Sequence, residues 1–426
     1  MTTTSKQKKN IKNIFLVLCF TLGLAVSLLF YWHVKFNKDP IKVGVLHSQT
    51  GTMAISEKPV IQSTLMAIEE INERGGILGK KIKPIVVDGQ SDADEFARKA
   101  ESLINQEKVS VVFGCWTSDC RKTVKPIFEA NNSLLVYPVQ YEGLEQSPNI
   151  VYTGAAPNQQ IIPAVKWAFD NIGKRFFLVG SDYVFPQTAN AIIKDQVTAL
   201  QGEIVGEEYI ILGSNDVGDI VDKIVATQPD AILNTINGDS NVAFFQALRN
   251  AGITPEKIPT ISFSIAEEEL QYMKVKDMVG DYAAWNYFQS IETPENQRFV
   301  AKFKEKYGVD RVTNDPIEAA YFGVYLWAQA VEKAGNLNPD NIREKVKDRS
   351  FGAPEGVVYI DPETQHTWKY VRIGQIKDNG QFEIIWSSGK PIRPVPYPIS
   401  RSKAEWEDFL RELYLGWNKK WANEVN

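Results

Sequence analysis

The sequence has few of the residues that metal and redox chemistry require. Its 426 residues include three histidines and three cysteines. His33, His47 and His366 are widely scattered, so the ligand spacing of a zinc site is missing. The sequence also contains no P-loop, low-complexity block or short-period repeat. We therefore expect no metal ion and no cofactor.

The chain also lacks an excess of positive charge. Its formal net charge at pH 7 is −5, which argues against a nucleic-acid partner. The apolar fraction of 44% and the charged fraction of 23% are typical of a globular protein. Because the length exceeds what one hydrophobic core usually serves, the sequence predicts two lobes.

The N-terminal segment has no acidic residue before position 14 and no charged residue from 14 to 32. Such a run is long enough to cross a bilayer as a helix, and the lysines before it favour an N-terminus on the inner side. A cleaved signal peptide has a similar layout, but the apolar run is longer than usual and no A-x-A site follows. We expect residues 1–38 to form a basic segment and an uncleaved anchor, with the membrane crossed through residues 14–34. The rest of the chain is then extracytoplasmic, at the periplasm or cell surface, and anchored to the inner membrane.

Beyond the anchor, strand-like runs alternate with helical patterns. The run "IKVGVL" at 41–46 precedes a helical pattern that Gly75 and Gly76 close. This rhythm predicts a parallel sheet covered by helices, and it starts again near residue 155. The predicted fold class is α/β, with two Rossmann-like lobes.

The predicted division of the chain follows from where these patterns stop and restart. We expect lobe 1 to contain 39–155 and 286–345, and lobe 2 to contain 156–285 and 346–400. The tripeptide "DNG" near the end of this part predicts a hairpin turn. Residues 401–426 are expected to contain an amphipathic helix, over 402–423, that packs on the body of the protein.

We expect the ligand-binding residues at the predicted strand ends, because ligands of open parallel sheets lie outside the carboxyl ends of the strands. Six such loops share a composition rich in aromatic, hydroxyl and acidic residues and free of lysine and arginine. They are "HSQTG" (47–51), "GCWTS" (114–118), "YPVQYEG" (137–143), "GSDYVFP" (180–186), "NGDSN" (237–241) and "SFSIAEEE" (262–269). This composition disfavours a phosphate and suits a small ligand that is uncharged or cationic.

The stretch "FGCWTSDCRK" at 113–122 allows several interpretations. A disulfide between Cys115 and Cys120 suits the compartment, but it must span a tight turn, and the geometry is demanding. A cysteine nucleophile requires a base, and His47 is the candidate.

We favour a third interpretation of this stretch, the floor of a binding pocket. Thr117 and Ser118 are expected to cap the following helix, and Trp116 to supply a flat apolar wall. Each of these residues alone fits a purely structural role. The six loops of matching character favour a binding site.

Longer motifs extend this interpretation to nearly the whole chain. The motifs are "RKTVKPIFE", "LLVYPVQYEGLEQSPNIVYTGAAPNQQ", "GSDYVFPQTAN", "TINGDSNVAFFQAL", "SFSIAEEEL", "AAWNYFQSI" and "GKPIRPVPYP". With them, residues 41–400 resemble type I periplasmic substrate-binding proteins of ABC transporters, in the urea and short-chain amide branch. The resemblance implies a Venus-flytrap architecture, in which a three-stranded hinge joins two lobes that close on a ligand. It also implies delivery of that ligand to the permease subunits, without catalysis.

The resemblance implies a site for urea or another amide between the lobes. The implied ligand-binding residues are Trp116, Thr117, Ser118, Tyr137, Gln140, Tyr141 and Glu142 in lobe 1 and Tyr183, Asn237, Asp239 and Glu267 in lobe 2. Urea is planar, with four N–H donors and one carbonyl acceptor. A buried carboxylate can accept two of its N–H groups, and aromatic faces can enclose the plate.

The leading hypothesis is an extracytoplasmic receptor that captures urea and delivers it to an ABC importer. Within the family, the alternatives are a protein that binds or senses acetamide or formamide, and a receptor for branched-chain amino acids. Outside it, an amide hydrolase would rely on Cys115 or Cys120 with His47. A structural protein of the cell envelope is a further alternative.

Overall fold

A five-stranded parallel sheet forms the centre of the first lobe. The computed structural model describes residue 21 and residues 39–423. The strands of this sheet are β1 (Ile41–His47), β2 (Ile82–Asp88), β3 (Val112–Gly114), β4 (Leu135–Tyr137) and β5 (Ile150–Tyr152), in the spatial order β2-β1-β3-β4-β5. The helices between them are α1 (Ala54–Glu73), α2 (Ala93–Asn105) and α3 (Ser118–Ala130). All neighbouring strands are parallel, as the alternating pattern predicts.

The chain then crosses to the second lobe and repeats the alternation. Its strands are β6 (Arg175–Ser181), β7 (Glu203–Ile210), β8 (Ala231–Thr235), β9 (Thr260–Ser262) and β10 (Tyr282–Trp285). Its helices are α4 (Ile161–Asn171), α5 (Val184–Ala199), α6 (Gly218–Thr227), α7 (Ser240–Asn250), α8 (Glu267–Leu270) and α9 (Val275–Met278). The prediction of a second α/β unit is confirmed.

The chain next returns to the first lobe. It adds α10 (Pro294–Tyr307), α11 (Asp315–Ala334), α12 (Pro339–Val346) and a small sheet of β11 (Ser350–Ala353), β12 (Gly356–Ile360) and β13 (Thr367–Trp368). The small sheet falls within the part, 346–400, that the predicted division assigns to lobe 2. It packs on α11 of lobe 1, where the rings of Phe351 and Tyr325 stack with centroids 4.9 Å apart.

The last two strands complete the sheet of the second lobe. They are β14 (Arg372–Ile376) and β15 (Phe382–Ser387), and they form an antiparallel hairpin. Gly380 of the predicted "DNG" turn has a φ of 73° at its tip. The sheet has the order β15-β14-β10-β9-β8-β6-β7.

Three chain segments pass between the lobes, and one side chain of the second segment binds the other two. Asn286 lies in the second crossing segment, and its Nδ2 donates to Gln159 O in the first at 2.8 Å and to Tyr370 O in the third. The backbone N–H groups of Asn286 and Tyr287 donate to Asp315 Oδ2 at 3.0 and 2.8 Å. These bonds fix the relative positions of the crossing segments.

The C-terminal helix α13 (Lys403–Gly416) packs on the second lobe. Trp406 on this helix has no exposed surface, and its Nε1 donates to Pro398 O at 2.9 Å. The predicted extent of 402–423 is too long, because the helix ends at Gly416. Asn418 and Lys419 then take positive φ values of 54° and 63°, and the chain turns back toward the cleft.

Within the described residues, no helix has the length and apolarity needed to span a membrane. The predicted anchor over residues 14–34 lies outside them except for Thr21. The same described part contains no group of three or more His, Cys, Asp or Glu side chains placed to bind a metal ion.

Candidate functional site

The predicted site residues of lobe 1 come together where β3 and β4 end. The two strands pair in parallel, so the loops 114–118 and 137–145 leave the sheet side by side. Tyr137 OH donates to Trp116 O at 2.5 Å, and the rings of Tyr137 and Tyr141 meet edge to face at 6.2 Å. We call these two loops and the first turn of α3 the lobe-1 wall.

Thr117 and Ser118 have different roles in this wall. Thr117 is the N-cap of α3, as predicted, and its Oγ1 accepts from the backbone N–H of Cys120 at 3.1 Å. Ser118 is the first residue of the helix, and its hydroxyl donates to Glu142 Oε2. Its backbone N–H is one of the donors that the first helical turn leaves without an intrahelical partner.

The two cysteines of this stretch form a disulfide. Cys115 and Cys120 are bonded, with a Cα–Cα distance of 5.8 Å. The preference against this pairing was wrong, because Cys115 adopts a left-handed φ of 64° and so turns toward the first turn of α3. A nucleophilic thiol is therefore absent from both positions. His47 instead bonds Glu57 Oε2 through Nδ1 at 2.9 Å.

A buried cluster of charges, which the loop composition did not indicate, lies under the wall. Arg121 has no exposed surface and donates from Nη2 to Glu142 Oε1 and from Nε to Glu145 Oε1, both at 2.9 Å. Lys122 Nζ lies 3.6 Å from Glu142 Oε1 and 3.5 Å from Glu145 Oε2. The strand-end loops lack cations, but the helix that follows supplies two.

Both signs of charge in this cluster are stabilised. Burial lowers the pKa of Arg121, yet the carboxylates of Glu142 and Glu145 raise it well above the usual value. Burial raises the pKa of Glu145, but Arg121, Lys122 and Lys125 lower it well below the ordinary range. Arg121 and Glu145 therefore both stay charged.

The sequence reasoning missed Arg121, Lys122 and Glu145. One signal was available, because Arg121 follows Ser118 by three residues and shares its face of the helix. The position of Glu145 could not be anticipated, since it depends on the fold of the loop after β4. Tyr152 OH also donates to Glu145 Oε1 at 2.9 Å, which adds a bond from β5.

The four predicted residues of lobe 2 do not form one cluster. Tyr183 is the N-cap residue of α5 and is 1% exposed; burial raises its pKa, and the neighbouring Tyr137 and Glu142 raise it further. Tyr183 therefore lies across from the lobe-1 wall. Asn237 is held within its own lobe, where its Nδ2 donates to Thr235 O at 3.1 Å.

Asp239 and Glu267 contact lobe 1 at two further points. Asp239 accepts a hydrogen bond from the Thr52 hydroxyl. Glu267 accepts from the backbone N–H of Gln289 at 2.7 Å, and burial raises its pKa to about 8. Neither contact is to the wall itself.

The lobes are closed on each other. Gln140 Nε2, from the wall, donates to Phe263 O of lobe 2 at 3.0 Å. Two buried atoms of the wall have no hydrogen-bond partner among the described residues: the donor Trp116 Nε1 and the acceptor Gln140 Oε1. Adjacent loops of the wall thus carry a buried donor and a buried acceptor that no described residue satisfies.

Comparison with known proteins identifies the family. The model of the periplasmic binding protein domain matches residues 41–403. The chain belongs to this family. It is a periplasmic binding protein, and the family implies an extracytoplasmic location. The predicted family is confirmed. Its urea and amide branch stays a prediction.

The relatives agree with this assignment over most of the chain. "Leu/Ile/Val-binding protein homolog 6" of Brucella melitensis is 24% identical over 353 residues, which are 81% of this chain and 90% of that protein. A local match of 124 residues is 34% identical to "Limonene hydroxylase" of Geobacillus stearothermophilus. It covers 29% of this chain and 23% of that protein, so it transfers no activity.

Solved structures share the fold. A solute-binding protein of Rhodopseudomonas palustris BisB5, in complex with 3,4-dihydroxybenzoic acid, has a TM-score of 0.76 and 24% identity over 84% of this chain and 99% of that one. A leucine-binding protein of Thermotoga maritima has a TM-score of 0.71 and 22% identity, over 82% and 98% of the two chains.

Proposed function

We propose that the cleft binds urea or another short amide and presents it to the permease of an ABC importer. The observation that carries this proposal is the pair of buried, unpartnered atoms on the wall, Trp116 Nε1 and Gln140 Oε1. Leaving a buried polar group unpaired costs about 1–3 kcal/mol. A ligand with a carbonyl and an N–H group on one planar unit supplies a partner for both.

The surroundings of these atoms suit a flat ligand. Trp116, Tyr137 and Tyr183 are each at most 3% exposed and come from both sides of the cleft. Aromatic faces favour planar groups, and their area contributes without demanding further hydrogen bonds.

The charges of the wall favour an amide over the ligands named for the relatives. 3,4-Dihydroxybenzoic acid and leucine both carry a carboxylate, which requires donors or a cation. In the described part of the wall, Arg121 and Lys122 already pair with Glu142 and Glu145. A ligand carboxylate would compete with two fixed carboxylates for these cations.

The size of urea limits its affinity. Four heavy atoms at a ceiling of about −1.5 kcal/mol each give about −6 kcal/mol, which corresponds to a Kd of some tens of micromolar. Each polar group that the bound urea leaves without a hydrogen bond would make the Kd larger than this value.

A receptor for branched-chain amino acids is the second candidate. The names of the relatives favour it, and Glu267 has a buried oxygen, Oε2, without a partner among the described residues. A carboxylate there could hold an ammonium group. Burial, however, raises the pKa of Glu267 to about 8, which favours the neutral acid.

The proposal is tested by calorimetric titration with urea, formamide, acetamide and leucine. Trp116→Phe removes the indole N–H and keeps the ring, so we expect about tenfold weaker amide binding. Trp327→Phe is the matched control, because Trp327 also has a buried, unpartnered Nε1 but lies in the lobe-1 core against Phe113. Equal effects of the two substitutions, or no amide binding by the wild type, would contradict the proposal.

We propose that residues 14–34 anchor the receptor in the membrane beside its permease. An ammonia assay on the purified protein with urea and acetamide separates a receptor from a hydrolase. Sustained release of ammonia would exclude the receptor.

A further inference from the structure

The disulfide of the lobe-1 wall encloses residues that are predicted to bind the ligand. The bond between Cys115 and Cys120 closes residues 115–120 into a covalent ring. Inside this ring lie Trp116, Thr117 and Ser118. The ring therefore links the end of β3 to the first turn of α3 across the residues that the two cysteines enclose.

The backbone of Cys115 adopts a conformation that is uncommon for a residue with a Cβ atom. Its φ of 64° lies in the left-handed region, which is unfavourable for residues other than glycine. Its backbone N–H donates to Leu46 O of β1 at 2.9 Å. The disulfide restrains this conformation, because two cysteines stay bonded only while their Cα atoms lie within about 7 Å of each other.

Trp116 follows this turn directly. Its carbonyl oxygen accepts from Tyr137 OH at 2.5 Å, so a hydrogen bond holds its backbone. Its indole Nε1 is buried and has no hydrogen-bond partner among the described residues. The position of the indole ring therefore depends on the backbone of residues 115 and 116 and on packing.

We propose that the disulfide positions Trp116 for the ligand, so that the affinity depends on the redox state of the Cys115–Cys120 bond. The inference rests on the proposed function, in which the indole N–H of Trp116 donates to the ligand. While the bond is intact, the left-handed turn is held and the indole stays in place. After reduction, Cys115 can relax toward negative φ, and only a fraction of the molecules keeps the indole in place.

A dithiol such as dithiothreitol is the reductant that the test requires. Its thiolate attacks one sulfur and the S–S bond breaks. The dithiol gives up two electrons and two protons, becomes a cyclic disulfide and leaves two cysteine thiols. Both cysteines are at most 1% exposed, so complete reduction is checked by thiol titration of the denatured chain. An extracytoplasmic compartment favours the bonded form.

Calorimetric titration of the full chain with urea and acetamide, before and after reduction, tests the proposal. We expect the Kd to rise about five- to tenfold on reduction and to return on reoxidation. Far-UV circular dichroism is recorded on the same samples and should stay unchanged. If reduction unfolds the chain, the disulfide supports the whole fold and the proposal is wrong.

Two cysteine substitutions show whether the reductant acts through this bond. Cys120→Ala removes the bond, so this variant should bind urea as weakly as the reduced wild type and should not respond to dithiothreitol. Cys19→Ser is the matched control, because Cys19 is the cysteine outside the pair. It should bind as the wild type does and lose affinity on reduction. Loss of that response in Cys19→Ser would contradict the proposal.

A double-mutant cycle shows whether the bond acts through Trp116. In the wild type, Trp116→Phe is expected to weaken amide binding about tenfold. In the Cys120→Ala background, the same substitution should weaken it by no more than about threefold, because the indole is already displaced in most molecules. Equal losses in both backgrounds would mean that the bond and the indole act independently, which contradicts the proposal.

The outcomes separate this inference from the proposed function. If the oxidised chain binds an amide and its Kd is unchanged by reduction, the positioning role of the disulfide is wrong and the proposed function stands. If the oxidised chain binds neither urea nor acetamide, the proposed function and this inference are both wrong.

Discussion

Ser56 and Glu269 join the two lobes through a buried hydrogen bond. The Ser56 hydroxyl of lobe 1 donates to Glu269 Oε1 of lobe 2 at 2.6 Å, and both side chains are at most 2% exposed. Glu267 and Glu268 adjoin Glu269 in α8, and Arg311 of lobe 1 lies 3.6 Å from Glu268 Oε1. Three neighbouring carboxyl groups are therefore buried where the two lobes meet.

This burial makes closure sensitive to pH. Burial raises the pKa of Glu267 to about 8, and that of Glu268 and of Glu269 to about 7, from an ordinary 4.5. Raised values favour the protonated form, so the stability of the closed form is fully present below pH 4.5 and is lost as the pH rises through about 8. We expect the affinity for urea to weaken between about pH 5 and about pH 9.

A matched pair of variants checks the origin of this pH dependence. Glu269→Gln removes one of the buried carboxyl groups. The affinity for urea, measured by calorimetry, should then change less with pH than in the wild type. Glu256→Gln changes an exposed carboxyl group of lobe 2, and the pH dependence of urea affinity should stay as in the wild type. If urea affinity changes equally with pH in both variants, α8 is not the source of the pH dependence.

The hinge offers a second prediction. Asn286→Asp replaces the amide that donates to Gln159 O and Tyr370 O by a group that cannot donate. We expect a loss of about 3 kcal/mol in the free energy of unfolding by guanidinium chloride. Asn171→Asp, at an exposed position, is the control and should change it by less than about 0.5 kcal/mol. Similar losses in both variants would show that Asn286 does not hold the crossing segments.

The C-terminal segment 417–423 bridges the two lobes. On lobe 2, Trp421 O accepts from Val184 N at 2.9 Å, next to Tyr183. On lobe 1, Lys122 Nζ lies 5.0 Å from the centroid of the Trp421 ring. A cavity of about 190 Å³ lies beneath this segment, between it and α3. Opening of the lobes must separate Lys122 from Trp421.

Loss of this bridge should speed the release of ligand. Trp421→Ala removes a cation–π contact, and we expect urea to dissociate about three- to tenfold faster in stopped-flow experiments. Trp417→Ala is the control, because Trp417 packs on the lobe-2 core. Dissociation at the wild-type rate in both variants would mean that the segment does not restrain opening.

The sequence predicts the architecture well because the fold depends on simple periodicity. Strands such as Ile41–His47 and helices such as Ala54–Glu73, which ends just before Gly75 and Gly76, lie close to where the pattern indicates them. The site loops of lobe 1 could also be anticipated, since parallel strands bring their carboxyl ends to one edge.

The rest depends on contacts between distant residues. The bond from Arg121 to Glu145 requires the loop after β4 to fold back over α3. The left-handed turn at Cys115, which permits the disulfide, has no signature in the residue types around it. The apolar pattern of the C-terminal segment continues past Gly416, where α13 ends. Beyond this point the chain turns back, and Trp421 O accepts from Val184 N.

The most direct test is a calorimetric comparison of urea, acetamide, leucine and 4-hydroxybenzoate on residues 39–426. We predict saturable binding of urea or acetamide, with a Kd no tighter than some tens of micromolar for urea. We predict no binding of the two carboxylates. Saturable binding of leucine or 4-hydroxybenzoate, with none of either amide, would contradict the proposed ligand class while leaving the family assignment unchanged.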